Sequence, residues 1–132
     1  MREGGDVALF GVGMMVYESL VAADMLAEKG ISAGVINLRS IKPIDIETII
    51  NQAEKTGAVV VSEDHNRFGG AGGAVAEVLA LYRPTALEQA ALDDVFAESG
   101  TYDELLDKYG LTARHIVEKA LTAIKRGEKR NA

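Results

Sequence analysis

The sequence predicts an α/β fold of three layers, in which helices cover both faces of a mainly parallel sheet of four to five strands. Short runs rich in branched apolar residues alternate with longer stretches of helical periodicity. Glycines follow several of the apolar runs, where a strand would turn into a helix. Such alternation requires right-handed crossovers, which place a parallel sheet between two helix layers. We expect the 132 residues to form a single domain, 1–132.

The first third of the chain predicts a strand, a helix and a second strand. Val7 to Phe10 is a short apolar run stopped by glycines, which is typical of a buried strand. Met14 to Lys29 has an apolar stripe at helical spacing, and Gly30 follows where a helix commonly ends. Ile31 to Leu38 is rich in branched residues and predicts the second strand.

The next segment predicts a second helix and a third strand. We expect Pro43 to open a helix that runs through Glu54, with Asp45 near its start and Gly57 closing it. Ala58 to Ser62 then predicts the third strand. The residues at helical spacing that should face inward are Ile46, Ile49, Ile50 and Ala53.

The remaining elements are a third helix, a fourth strand and a C-terminal helical region. Ala74 to Tyr82 is nearly all apolar, which predicts a helix covered on more than one side. Thr85 to Leu92 predicts a short strand, and Thr101 to Glu104 fits a capping box ahead of a short helix. We expect Thr112 to cap the last helix. Its inward residues should be Ile116, Ala120, Leu121 and Ile124.

Composition excludes several classes of function. The net charge of −6 provides no basic face for nucleic acid, and the basic residues between Lys125 and Arg130 suit the end of a helix. No apolar stretch approaches the ~20 residues of a membrane span, and the N-terminus lacks the pattern of a signal peptide. The absence of cysteine excludes disulfides and thiolate metal sites and agrees with a cytoplasmic location.

Two glycine-containing corners are candidates for anion contact or for an interface. Gly11 and Gly13 provide two glycines of a dinucleotide fingerprint, but Val16 occupies the third position. The second corner has no Lys-Ser or Lys-Thr after it, so it is not a Walker loop. Backbone N–H groups at either corner could bind an anion. Alternatively, glycine could be present only because it permits a positive φ and close packing. The candidate glycines are Gly11, Gly13, Gly69, Gly70, Gly72 and Gly73.

His65 raises the question of catalysis, because Glu63 and Asp64 precede it. A histidine and a carboxylate can act as a base and its orienting partner, but neighbouring residues at a strand end point to opposite sides. The only other histidine, His115, falls on the last helix. We therefore assign no catalytic, cofactor-binding or metal residue, and interpret His65 as a hydrogen-bonding residue at a turn or domain interface.

Several segments, in this order along the chain, resemble the C-terminal domain of transketolase-like thiamine diphosphate enzymes. They are 11–19; Val35-Ile36-Asn37-Leu38-Arg39-Ser40-Ile41-Lys42-Pro43-Ile44-Asp45; Thr56-Gly57-Ala58-Val59-Val60-Val61-Ser62-Glu63-Asp64-His65; 69–79; 94–100; and 105–112. The residues from Phe96 onward resemble transketolase more than the β subunits of 2-oxoacid dehydrogenases, and deoxyxylulose-phosphate synthase is a third relative. The chain departs from the family pattern at Asp64, Ala97 and 90–92.

The resemblance implies a non-catalytic domain with a structural and dimer-interface role. In that family an N-terminal domain holds the diphosphate and Mg²⁺, and a middle domain holds the aminopyrimidine. The partners would be those domains or subunits and a second copy of the enzyme, and the parent would transfer a two-carbon ketol unit between sugar phosphates. Met1 would then be an engineered start or a fragment end, and the isolated domain would be inactive. The alternatives are the corresponding domain of a 2-oxoacid dehydrogenase and a free-standing flavodoxin-like anion-binding module.

Overall fold

The computed structural model describes residues 2–40, 43–66, 70–92 and 113–131, and within them it contains one four-stranded sheet. The strands are β1 (Val7–Gly11), β2 (Ala33–Asn37), β3 (Ala58–Asn66) and β4 (Ala86–Leu92). The helices are α1 (Met15–Glu28), α2 (Ile46–Thr56), α3 (Ala71–Tyr82) and α4 (Ala113–Asn131), with a 3₁₀ turn at Leu38–Ser40. The strand order is β2-β1-β3-β4, and all three pairings are parallel. The predicted α/β fold is confirmed.

Alternate residues of the strands supply two cores, one on each face of the sheet. Leu9 and Val60 pack on one face with residues of α1 and α4, including the fully buried Ile116. Phe10 and Val59 pack on the other face with residues of α2 and α3. The period of two along each strand therefore produces the three predicted layers.

The strand order creates a topological switch between β1 and β3. The chain leaves β1 through α1 on one face to reach β2, and returns through α2 on the other face to β3. In open α/β sheets, ligands commonly bind in the crevice at the carboxyl ends of strands around such a switch. The carboxyl edge is therefore the expected position of a ligand-binding site.

Helix α2 begins later than the sequence predicts. Asp45 is its N-cap, with extended backbone dihedrals, and its side chain accepts a hydrogen bond from the Thr48 N–H at 3.1 Å. The capping carboxylate, rather than Pro43, therefore determines the start, and the prediction that Pro43 opens the helix is wrong. Ile46 in the first turn is 41% exposed rather than inward, whereas Ile49 is fully buried. Gly57 ends the helix at φ 73°, a left-handed conformation that glycine adopts readily.

The buried faces of helices α3 and α4 differ in part from those that the sequence predicts. Leu81 and Tyr82 are 69% and 57% exposed, so this domain alone does not cover α3 on more than one side. Leu121 is 39% exposed, because the inward stripe of α4 instead includes Val117 and Ala123. The predicted caps at Thr101 and Thr112 lie outside the described residues.

Candidate site at the carboxyl edge of the sheet

The carboxyl edge brings the two predicted glycine corners into one region. The Val12 N–H, just after β1, donates to the Ser62 carbonyl of β3 at 3.0 Å. Strand β3 continues beyond the predicted end at Ser62 to Asn66, and α3 begins at Ala71. The corners after β1 and β3 are therefore neighbours at the topological switch.

Glu63 occupies the N-terminus of α3. Its side chain is 1% exposed, and its Oε2 and Oε1 accept hydrogen bonds from the N–H groups of Ala71 at 2.7 Å and Gly72 at 3.0 Å. A helix N-terminus presents unpaired N–H groups and a partial positive charge, which a carboxylate stabilises. The Glu63 carboxylate therefore already accepts hydrogen bonds from the N–H groups that an external anion would need at this corner.

Sequence reasoning considered Glu63 only as a partner of His65 and missed this contact. Ala71 lies eight positions after Glu63, beyond the spacing of a capping box, so local pattern rules do not find this contact. The available signal was an acidic residue at the end of an apolar strand, followed by a helix that begins without a Ser, Thr, Asp or Asn cap. A buried carboxylate needs donors, and the next helix supplies them.

Gly70 and Gly72 allow close packing, and neither has a positive φ. Gly70 has φ −105°, and a Cβ on it would lie 2.2 Å from the Glu63 Oε1. A Cβ on Gly72 would lie 2.2 Å from the Gln89 Oε1. Gly73 lies exposed in α3, and Gly69 is outside the described residues. Side chains from two adjacent strands therefore fill the space beside the first turn of α3.

The corner after β1 also uses glycine for close approach. A Cβ on Gly11 would lie 2.9 Å from the Val16 Cα, so the first turn of α1 rests directly on the end of β1. Gly13 has φ 59°, in the left-handed region, and a Cβ on it would lie 4.0 Å from the Arg39 Nε. The N-terminus of α1 has no side-chain cap.

The predicted hydrogen-bonding role of His65 stays a prediction. His65 belongs to β3, but its side chain and that of Asp64 are outside the described part of the chain. The described residues include no group of three or more His, Cys, Asp or Glu that could hold a metal ion. Two buried hydroxyls, those of Ser19 in α1 and Ser62 in β3, have no hydrogen-bond partner.

The family described as "Transketolase, C-terminal domain" matches residues 1–116. A relative named 6-deoxy-6-sulfo-D-fructose transketolase subunit SqwH, from Clostridium sp. strain MSTE9, is 46% identical over 91% of this chain and 37% of its own length. A 1-deoxy-D-xylulose-5-phosphate synthase from Trichormus variabilis is 44% identical over 93% of this chain and 20% of its own length. A subunit of an apulose-4-phosphate transketolase from Phocaeicola vulgatus is 37% identical over 96% of this chain and 40% of its own length. The chain therefore spans well under half the length of these relatives.

Solved structures show the same architecture. A split-gene transketolase, described as an inactive β4 tetramer, superposes with a TM-score of 0.90 at 45% identity, over 94% of this chain and 41% of that one. A transketolase from Pichia stipitis superposes with a TM-score of 0.69 at 18% identity, over 98% of this chain and 18% of that one, which supports the fold alone. In the described ranges, no helix combines the length and apolarity needed to cross a membrane.

Proposed function

We propose that this chain, which belongs to the transketolase C-terminal domain family, serves as the C-terminal domain of a thiamine diphosphate-dependent transketolase. Its role is structural, including a dimer interface, and the catalytic groups come from other domains. The family match over 1–116 and the 45% identical split-gene transketolase support this assignment. A 2-oxoacid dehydrogenase β subunit is not favoured by these relatives.

The observation that carries the non-catalytic role is the position of Glu63. The N–H groups of Ala71 and Gly72 bind the Glu63 carboxylate, so an external phosphate would have to displace a buried internal anion. The same contact argues against a free-standing anion-binding module at this corner. Among the described residues there is no group of three or more His, Cys, Asp or Glu that could hold a metal ion such as Mg²⁺.

The proposed parent enzyme transfers a two-carbon ketol unit from a ketose phosphate to an aldose phosphate. Thiamine diphosphate, bound with Mg²⁺ by the diphosphate- and pyrimidine-binding domains, supplies the nucleophile for that transfer. The relatives' names differ in their sugars, so this chain is not assigned a particular substrate.

The proposed partners are the pyrimidine- and diphosphate-binding domains, on one chain or on separate subunits, and a second copy of the enzyme. Two relatives are named as transketolase subunits, and this chain covers 37% and 40% of them. That pattern favours a split enzyme in which the pyrimidine-binding domain and this domain share one subunit. The proposed location is the cytoplasm, where sugar phosphates are available.

A second candidate is the C-terminal domain of a 1-deoxy-D-xylulose-5-phosphate synthase. The 44% identical relative from Trichormus variabilis favours it. The assay uses the longer polypeptide that contains this chain, together with its diphosphate-binding partner, the cofactor and Mg²⁺. Two-carbon transfer from a ketose phosphate supports the first candidate, whereas formation of 1-deoxy-D-xylulose 5-phosphate supports the second. The absence of any thiamine-dependent activity would overturn both.

The isolated chain should neither bind thiamine diphosphate nor catalyse transfer. The physical reason is that the amides at the α3 N-terminus are already bound by Glu63. Calorimetric titration with the cofactor and Mg²⁺ measures this directly, with buffer injections as the control. A saturable signal in the micromolar range, equivalent to about −8 kcal/mol, would contradict the prediction.

A further inference from the structure

We propose that Glu63 holds the first turn of α3, residues 70–74, closed, and that this turn opens as a local unit when the carboxylate is removed. Opening exposes the N–H groups of Ala71 and Gly72, which then form a binding site for a small external carboxylate. Only contacts within this chain are involved, so this conformational device is separate from the proposed domain role.

The first turn of α3 has little helical stability of its own. Gly72 and Gly73 lie in it, and glycine is among the least favourable residues within a helix. Its N-cap is Gly70, which has no side chain that could accept a hydrogen bond. The hydrogen bond from the Ala74 N–H to the Gly70 carbonyl is 3.4 Å long, whereas about 3 Å is usual. The local sequence therefore stabilises this turn only weakly.

The Glu63 carboxylate supplies the missing stabilisation from the sheet. Its Oε2 accepts from the Ala71 N–H at 2.7 Å, and its Oε1 accepts from the Gly72 N–H at 3.0 Å. Glu63 is 1% exposed, and its strand lies between β1 and β4, so the carboxylate is attached to the interior of the fold. The first N–H groups of a helix have no partner within that helix. In α3, two of them depend on one buried side chain of β3.

The space around the carboxylate is small and closed. A Cβ on Gly70 would lie 2.2 Å from the Glu63 Oε1, and a Cβ on Gly72 would lie 2.2 Å from the Gln89 Oε1, so side chains fill both sides of the turn. Removal of the carboxylate leaves two N–H groups without an acceptor in a buried place, which is costly. The turn therefore opens toward water, unless another anion of similar size accepts the same two hydrogen bonds.

Amide hydrogen exchange of the parent chain and of Glu63→Gln measures the opening. Glutamine has the same shape, but its NH₂ group cannot accept a hydrogen bond from the N–H that it faces. We expect Ala71 and Gly72 to be protected in the parent, unlike the first N–H groups of most helices, and to exchange at least about tenfold faster in the variant. The Val60 amide should remain strongly protected in both, because β3 stays folded.

Acetate tests the binding site, because Glu63→Ala removes the equivalent of an acetate ion from beside the two N–H groups. We expect about 0.1 M acetate to slow exchange at Ala71 and Gly72 of this variant at least about threefold, relative to the same concentration of chloride. Acetate should not change their exchange in the parent. Asp45→Ala is the matched control: Asp45 also accepts from a helix N–H, that of Thr48, but it is exposed. Water replaces its carboxylate, so acetate should have no effect there.

Retained protection of Ala71 and Gly72 in Glu63→Gln would overturn the inference. Loss of Val60 protection together with theirs would also overturn it, because the first turn of α3 would then not open as a separate unit. Equal exchange of Glu63→Ala in acetate and in chloride would overturn the proposed binding site. Glu63→Ser replaces Glu63→Ala in this comparison if the alanine variant does not fold in either salt.

Discussion

At the scale of single residues, Gly70 and Gly72 leave room for two polar side chains of the sheet. We expect valine at either position to destabilise the fold by about 1–3 kcal/mol, because the Cβ would overlap Glu63 or Gln89. Gly70→Val should have the larger effect, since the Glu63 carboxylate is held by two amides and cannot move without losing them. Thermal and urea unfolding measure the change. Gly5→Ala is the control, because nothing lies within 4 Å of its Cβ position. Unchanged melting in both valine variants would contradict the prediction.

Gly127 lies within α4, where alanine would normally be favoured by about 1 kcal/mol. A Cβ on Gly127 would lie 2.6 Å from the carbonyl oxygen of Gly57, at the end of α2. The steric overlap involves backbone, so we expect Gly127→Ala to lower the melting temperature despite its better helix propensity. Lys125→Ala, at an exposed position of the same helix, should have little effect. A higher melting temperature for Gly127→Ala would contradict the prediction and show that the backbone at Gly57 moves away easily.

At the scale of elements, the start of α2 depends on Asp45. Hydrogen bonds from the Thr48 hydroxyl and N–H lower the pKa of Asp45 below its ordinary value. A lowered pKa contributes stability that is present above the unfolded pKa and is lost as pH falls through the folded one. We expect Asp45→Asn, which keeps a capping oxygen, to melt lower than the parent at neutral pH, with a difference that shrinks below about pH 4. Glu54→Gln is the exposed control, and a difference independent of pH would contradict the prediction.

The sequence predicts the elements better than the contacts between them. Local periodicity identified the four strands of the described residues, because branched apolar runs and glycine corners are signals within one segment. The contact of Glu63 with α3 and the exposure of Ile46, Leu81 and Leu121 depend on which elements become neighbours. A helical stripe indicates the apolar face but not how much of it the other layers cover. The sequence identifies glycine-containing corners, but the close contacts at Gly11, Gly70 and Gly72 depend on the tertiary structure.

At the scale of the whole molecule, the chain itself contacts both outer strands of the described sheet at their edges. The segment 2–6 lies along β2, and the Arg126 guanidinium donates to the Leu87 carbonyl of β4 at 2.8 Å and pairs with Glu88. Unprotected edge strands invite pairing with other chains. Association of this domain should therefore use its helices rather than its strand edges.

Self-association through α3 is the prediction at this scale. In its last turn Leu81 and Tyr82 are 69% and 57% exposed, and Glu77 is the only charged residue of the helix. A two-fold contact is the commonest way for identical chains to cover such a face. Light scattering over a wide concentration range should show dimers of the isolated chain at high concentration. Tyr82→Glu should shift the equilibrium to monomer, while Tyr17→Glu, at the other edge, should leave it unchanged. A strictly monomeric species at high concentration, with no two-fold crystal contact above about 1,000 Å² of total buried area, would contradict the prediction.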